Sequence, residues 1–108
     1  MKTLKFRKKL SELILKGEKT TTWRLFDDKD ISSGDEVSLM VWETKEEFAK
    51  AKIISVIEKP LGELDDDDWS GHERFSSDEE MYKTYEKYYG RKVDEKTLVK
   101  IIRFELTT

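Results

Sequence analysis

Cysteine, asparagine and glutamine are all missing from this chain, and histidine and proline each occur once, as His72 and Pro60. Without cysteine there is no disulfide and no thiolate metal site. One histidine cannot build a typical zinc centre, so neither a metal nor another cofactor is expected. No apolar run approaches the roughly 20 residues that span a bilayer. Lys2 and Lys5 make the first residues basic, but no apolar stretch follows, so they do not read as a signal peptide. The expected setting is the cytoplasm, away from membranes.

What is present suffices for one folded domain. Hydrophobic residues make up 36% of the 108 and aromatics 11%, enough for a core. A chain of this length buries roughly two thirds of its unfolded surface, so residues 1–108 read as a single domain. Charged residues reach 42%. Enrichment in Lys and Glu with loss of heat-labile side chains is the compositional mark of hyperthermophile proteins. The expected melting temperature therefore lies above the about 45–65 °C of mesophile domains; a calorimetric midpoint below about 60 °C would overturn a thermophilic source.

Net charge is only −3, but it is unevenly spread. Residues 1–24 carry eight Lys or Arg against two Glu, and residues 58–80 carry ten acids against two bases. A protein that grips long duplex needs a broad basic face to neutralise phosphates. Tight duplex DNA binding is not expected here. A pocket for one or a few nucleotides is compatible with the charge pattern.

The alternation of Leu4 and Phe6 with polar neighbours predicts a strand over residues 3–7. Leu10, Leu13 and Ile14 at helical spacing predict a helix over 8–16, closed by Gly17. A second strand follows over 19–25, then a loop over 26–35. Residues 36–43 and 48–58 read as a hairpin, and 61–75 as an irregular acidic loop. Ser77 with Glu80 resembles a capping box opening a helix that ends at Gly90, and 98–106 is the last strand. The order is β-α-β-β-β-loop-α-β, a mixed α+β domain. Without regular crossover helices it points to a small mixed or closed barrel.

The most informative stretch is Gly17-Glu18-Lys19-Thr20-Thr21-Thr22-Trp23-Arg24. A helix ends and a strand begins at once, a corner that can hold an ammonium and a hydroxyl near one point. Lys19, stripped of water there, can act as a base or anchor an anionic group; Thr22 can serve as nucleophile or hydrogen-bond partner. The alternative is two ordinary polar residues on a strand face. Positions three apart point to opposite faces of a regular strand, so Lys19 and Thr22 converge only if Lys19 precedes the extended segment. Arg24 can hold a phosphate or make a structural ion pair. Trp69 can stack on a base or cap the barrel. Trp23 and Trp42 read as core, and Met81, Tyr85 and Tyr88 as a packing stripe. The run at residues 65–68 reads as solvated charge.

Gly-x-Lys-x-x-Thr-x-Arg after a short amphipathic helix resembles the signature of ASCH domains. These are small relatives of the PUA domain, associated with recognition of RNA or modified nucleosides. The resemblance extends over residues 2–106 and is strongest in the stretch above and in the final strand. It implies a PUA-like β-barrel with a nucleotide-binding pocket formed by Lys19, Thr22, Arg24 and Glu73; Trp69, in the acidic loop, is a nucleotide-binding candidate through its ring alone. A bacterial branch of the family hydrolyses the acetyl amide of N4-acetylcytidine with a lysine, a threonine and a glutamate. By motif position these catalytic roles fall on Lys19, Thr22 and Glu73. The expected partner is RNA or a modified nucleoside; the rival reading is an amidohydrolase, and a third is an adaptor acting through the acidic loop.

Overall fold

The computed structural model of the chain describes residues 2–26, 30–72 and 74–107. Among them are five strands: β1 (Lys2–Phe6), β2 (Thr21–Leu25), β3 (Glu36–Val41), β4 (Glu47–Pro60) and β5 (Leu98–Thr107). The helices are α1 (Lys8–Leu15), α2 (Asp66–Trp69) and α3 (Asp78–Tyr89), with a 3-10 turn at Leu61–Glu63. The strands form one sheet in the order β1-β3-β4-β5-β2, curled into a half-barrel. β1 pairs with β3 in parallel and the other neighbours pair antiparallel. This is the expected mixed α+β, PUA-like architecture.

The sheet divides two cores, and β5 serves both because its side chains alternate. Ile102 and Phe104 join Leu4, Leu39 and Ile53 on one face, closed by Ile14 of α1. Val99 and Ile101 join Trp23 and Leu25 on the other, closed by Met81 and Tyr85 of α3. The long strand β4 bends where its register against β5 shifts between Ile53 and Ser55, leaving Ile54 as the extra residue of a bulge. Ile54 is accordingly exposed.

Local signals explain the helix ends. Gly17 at φ +80° lets the chain reverse out of α1, with its N–H bonded to the Ile14 carbonyl and that of Glu18 to the Leu13 carbonyl. These paired backward bonds are the Schellman pattern, which a glycine in the left-handed region makes inexpensive. Ser77 caps α3 by accepting the Glu80 N–H at 3.1 Å. The Glu80 carboxylate turns to the Ser76 hydroxyl.

Residues 61–75 depart from the irregular loop expected of them. Asp65 and Asp68 form a reciprocal capping box around α2: the Asp68 N–H donates to the Asp65 carboxylate at 3.1 Å, and the Asp65 N–H to that of Asp68 at 2.9 Å. Nor is the acidic run uniformly solvated. Asp68 is buried, and its carboxylate takes the Lys59 ammonium at 2.7 Å.

Candidate functional site

Lys19 and Thr22 line the same cleft because of where β2 starts. Lys19 lies in irregular chain between α1 and Thr21, so it escapes strand alternation. Its side chain is buried, with the ammonium donating to the Thr21 carbonyl at 2.9 Å. Thr22 is buried as well, and both line one cleft of about 440 Å³.

That corner is pinned from the far side of the sequence. The Gly71 carbonyl accepts the N–H groups of Thr20 at 2.9 Å and Thr21 at 3.1 Å, and the Thr21 hydroxyl donates to the Ser70 carbonyl at 3.0 Å. Gly71 has φ +77°, and a Cβ there would lie 2.1 Å from the Thr20 hydroxyl oxygen. Only glycine fits so close a backbone approach at that angle. The next residue, His72, is buried and stacks on Trp23 with ring centres 3.8 Å apart and planes 15° from parallel. The imidazole thereby joins Lys19 and Thr22 in the cleft lining.

The cleft occupies the seam of the half-barrel, where the edge strands β1 and β2 face each other. Lys5 and Phe6 contribute from one edge, Thr22 and Arg24 from the other, with Leu13 of α1 and Tyr85 of α3 flanking them. Arg24 spans the seam. Its guanidinium donates to the Lys5 carbonyl at 2.8 Å and lies 4.8 Å from the centre of the Phe6 ring. Both contacts are structural, one to a backbone carbonyl and one to a ring face.

Beneath the site, α2 is tied to the sheet. Trp23 donates its indole N–H to the Asp68 carbonyl at 3.3 Å, and Arg103 donates to the Asp67 carbonyl. Burial pushes the Asp68 carboxyl up, but the Lys59 ammonium and the hydrogen bonds from Asp65 together outweigh it and leave it below the ordinary value of 3.8. The hydrogen bond to Asp68 holds the Lys59 ammonium above its ordinary 10.5, against the opposing effect of burial.

Of the residues singled out from sequence, Lys19, Thr22 and Arg24 come together in the cleft. Glu73 lies outside the described residues. Trp69 stands apart from the cleft lining and packs edge-on against Trp23 at 4.5 Å, with the Arg74 guanidinium 5.2 Å from its ring centre. Trp42 is not core: β3 ends at Val41, and the indole is 45% exposed at the cleft rim. Tyr88 likewise leaves the packing stripe and is 53% exposed. Gly71 and His72 are the members that sequence reasoning underrated. Their signal was the Ser70-Gly71 pair, a turn signal that breaks an acidic stretch. Among the described residues no group of His, Asp or Glu side chains could hold a metal ion, and no helix is long and apolar enough to cross a membrane.

No family model matches the sequence, and no curated protein matches it. Comparison of structures is more telling. The ASCH domain from Lactobacillus crispatus JV V101 superposes with a TM-score of 0.72 at 16% identity, covering 97% of this chain and 79% of that one. The fold is that of an ASCH domain. The same architecture recurs in a protein of Enterococcus faecalis V583 assigned to the family DUF984, with a TM-score of 0.76 at 15% identity over 92% of this chain and 70% of that one. It recurs again in the hypothetical protein PH0355, with a TM-score of 0.71 at 25% identity over 99% and 100%. A shared fold does not decide what a cleft takes; its side chains do.

Proposed function

We propose that the cleft recognises a nucleoside, free or within RNA. The observation that carries this reading is the pairing of two buried polar side chains, Lys19 and Thr22, with ring-bearing walls in one cleft. Nucleobases present a polar edge and a flat face. An ammonium and a hydroxyl suit the edge, while aromatic walls suit the face, where stacking contributes about 1–3 kcal/mol per base. The volume of about 440 Å³ falls within the range of roughly 300–1,000 Å³ usual for small-molecule sites. Lys5 and Lys9 add positive charge to the lining, in keeping with the basic N-terminal section.

Calorimetric titration with cytidine, N4-acetylcytidine and short single-stranded RNA tests the reading. Lys19→Ala should weaken binding at least about tenfold, and RNA affinity should fall as salt rises. Binding indifferent to Lys19 would remove the proposed site.

An amidohydrolase reading draws on the same convergence of Lys19 and Thr22. The Thr22 hydroxyl would attack the acetyl carbonyl while Lys19, in the neutral amine form this step requires, takes its proton and becomes the ammonium. Cleavage of the C–N bond, with proton return to the departing cytosine amine, would leave an acetyl ester on Thr22, which water then hydrolyses to acetate. Glu73 would assist departure of the amine. Chromatography for cytidine after incubation with N4-acetylcytidine separates the readings. Thr22→Ala should abolish release while retaining part of the binding; absence of release by the unaltered protein would leave recognition alone.

A further inference from the structure

We infer that the rim of the cleft is a second subsite holding the nucleotide next to the one inside, so that the ligand is a strand rather than a free nucleoside. This rests on the nucleoside reading of the cleft.

Trp42 and Tyr88 are large hydrophobic side chains left substantially exposed, at 45% and 53%, and both line the cleft. The Arg7 guanidinium lies between them in distance, 4.2 Å from the centre of the Trp42 ring and 5.9 Å from that of Tyr88. The Lys45 ammonium is also 4.2 Å from the Trp42 ring centre. Lys45 has φ +61°, a sparsely populated angle for a residue with a Cβ, and its N–H donates to the Val41 carbonyl at 2.8 Å. The turn after β3 thus holds a cation against an indole at a conformational cost.

These cations are not serving ion pairs. Among the described residues, salt bridges join Lys2 to Asp35, Lys59 to Asp65 and Asp68, and Lys83 to Glu79, and none takes Arg7, Lys9 or Lys45. The nearby acids have other donors: Glu43 accepts the Lys8 N–H at 2.9 Å, and Glu47 the Ser38 hydroxyl at 2.6 Å. Among the described residues the rim cations Arg7 and Lys45 therefore rest on ring faces and not within ion-pair distance of a carboxylate.

Exposed rings interleaved with cations held on their faces suit a flat base joined to a phosphate. Guanidinium in particular can both stack and make paired hydrogen bonds to phosphate oxygens. A free nucleoside has no phosphate to use these groups, whereas a strand continuing out of the cleft places one there.

The test compares the four ordinary nucleosides with the matching single-stranded RNA homotetranucleotides, by calorimetry on the whole chain. The tetranucleotide should bind at least about tenfold more tightly than its nucleoside. Trp42→Ala and Arg7→Ala should each collapse that ratio, while Lys19→Ala weakens both ligands. Arg7→Lys, which keeps the charge but loses the planar group, should restore only part of the ratio. Unchanged melting temperatures would show that the exposed sites are altered without loss of the fold. A ratio near one in the unaltered protein, or one insensitive to Trp42→Ala, overturns the subsite and spares the cleft reading. Failure of the unaltered protein to bind either ligand overturns both.

Discussion

Gly71→Ala should destabilise the protein by about 2–5 kcal/mol and weaken ligand binding in the cleft at least about tenfold. Two separable effects add. An alanine held at φ +77° carries the left-handed penalty of about 1–2 kcal/mol. Its Cβ would also lie 2.1 Å from the Thr20 hydroxyl oxygen, an overlap that forces either a side-chain rotation or a shift of the loop, at about 1–3 kcal/mol. A loop shift matters most for function, since it carries His72 away from Lys19 and Thr22.

Gly17→Ala is the natural control. Gly17 has φ +80° with nothing near its absent Cβ, so only the backbone part applies. A second substitution, Thr20→Ala, removes the clashing oxygen and leaves the Thr20 Cβ at 3.4 Å and the Thr21 hydroxyl oxygen at 3.3 Å, contacts that a shift of a few tenths of an ångström relieves. The double variant should regain the steric part and not the backbone part, which urea unfolding of all four proteins in the cycle reads directly. Equal losses for Gly17→Ala and Gly71→Ala would sink the argument.

Asp68→Asn is expected to cost about 2–3 kcal/mol, just under the roughly 3–5 kcal/mol of stranding a fully buried charge. The reduction reflects Lys59, whose side chain is 24% exposed and can recover some hydration. The pH dependence has a definite sign. Asp68 has a lower pKa folded than its ordinary 3.8, so its stabilisation is fully present above that value and is lost as pH falls through the folded one. Acid unfolding of the unaltered protein should therefore steepen below about pH 4. The Asp68→Asn protein should lack that component. Identical acid profiles for the two would show that the pair contributes nothing to stability.

How much of this was legible in the sequence depends on how local each cause is. The end of α1 at Gly17 and the cap at Ser77 are written in three or four neighbouring residues, and both could be read there. The corner bearing Lys19 and Thr22 was readable as a question, which the start of β2 at Thr21 then answered. Asp68 could not be separated from its acidic neighbours, because its burial depends on Lys59 at the end of β4 and on the packing of Trp23. Trp42 looked like a strand residue because nothing in the alternation marks Val41 as the last position; the register shift between Leu39 and Met40 is a property of the paired strands. Tyr88 kept helical spacing with Met81 and Tyr85, yet the width of the apolar face is set by what α3 packs against. Gly71 was the most consequential omission. Its requirement comes from Thr20, far away along the chain.

The seam between β1 and β2 also bears on how such a molecule diverges by descent. The aperture of the cleft is spanned by the Arg24 side chain reaching the Lys5 carbonyl, while the ladders of the sheet run the other way round through β3, β4 and β5. An inherited change at position 24 can therefore widen or narrow the opening without removing a backbone rung. Architecture and aperture thus rest on separable sets of residues.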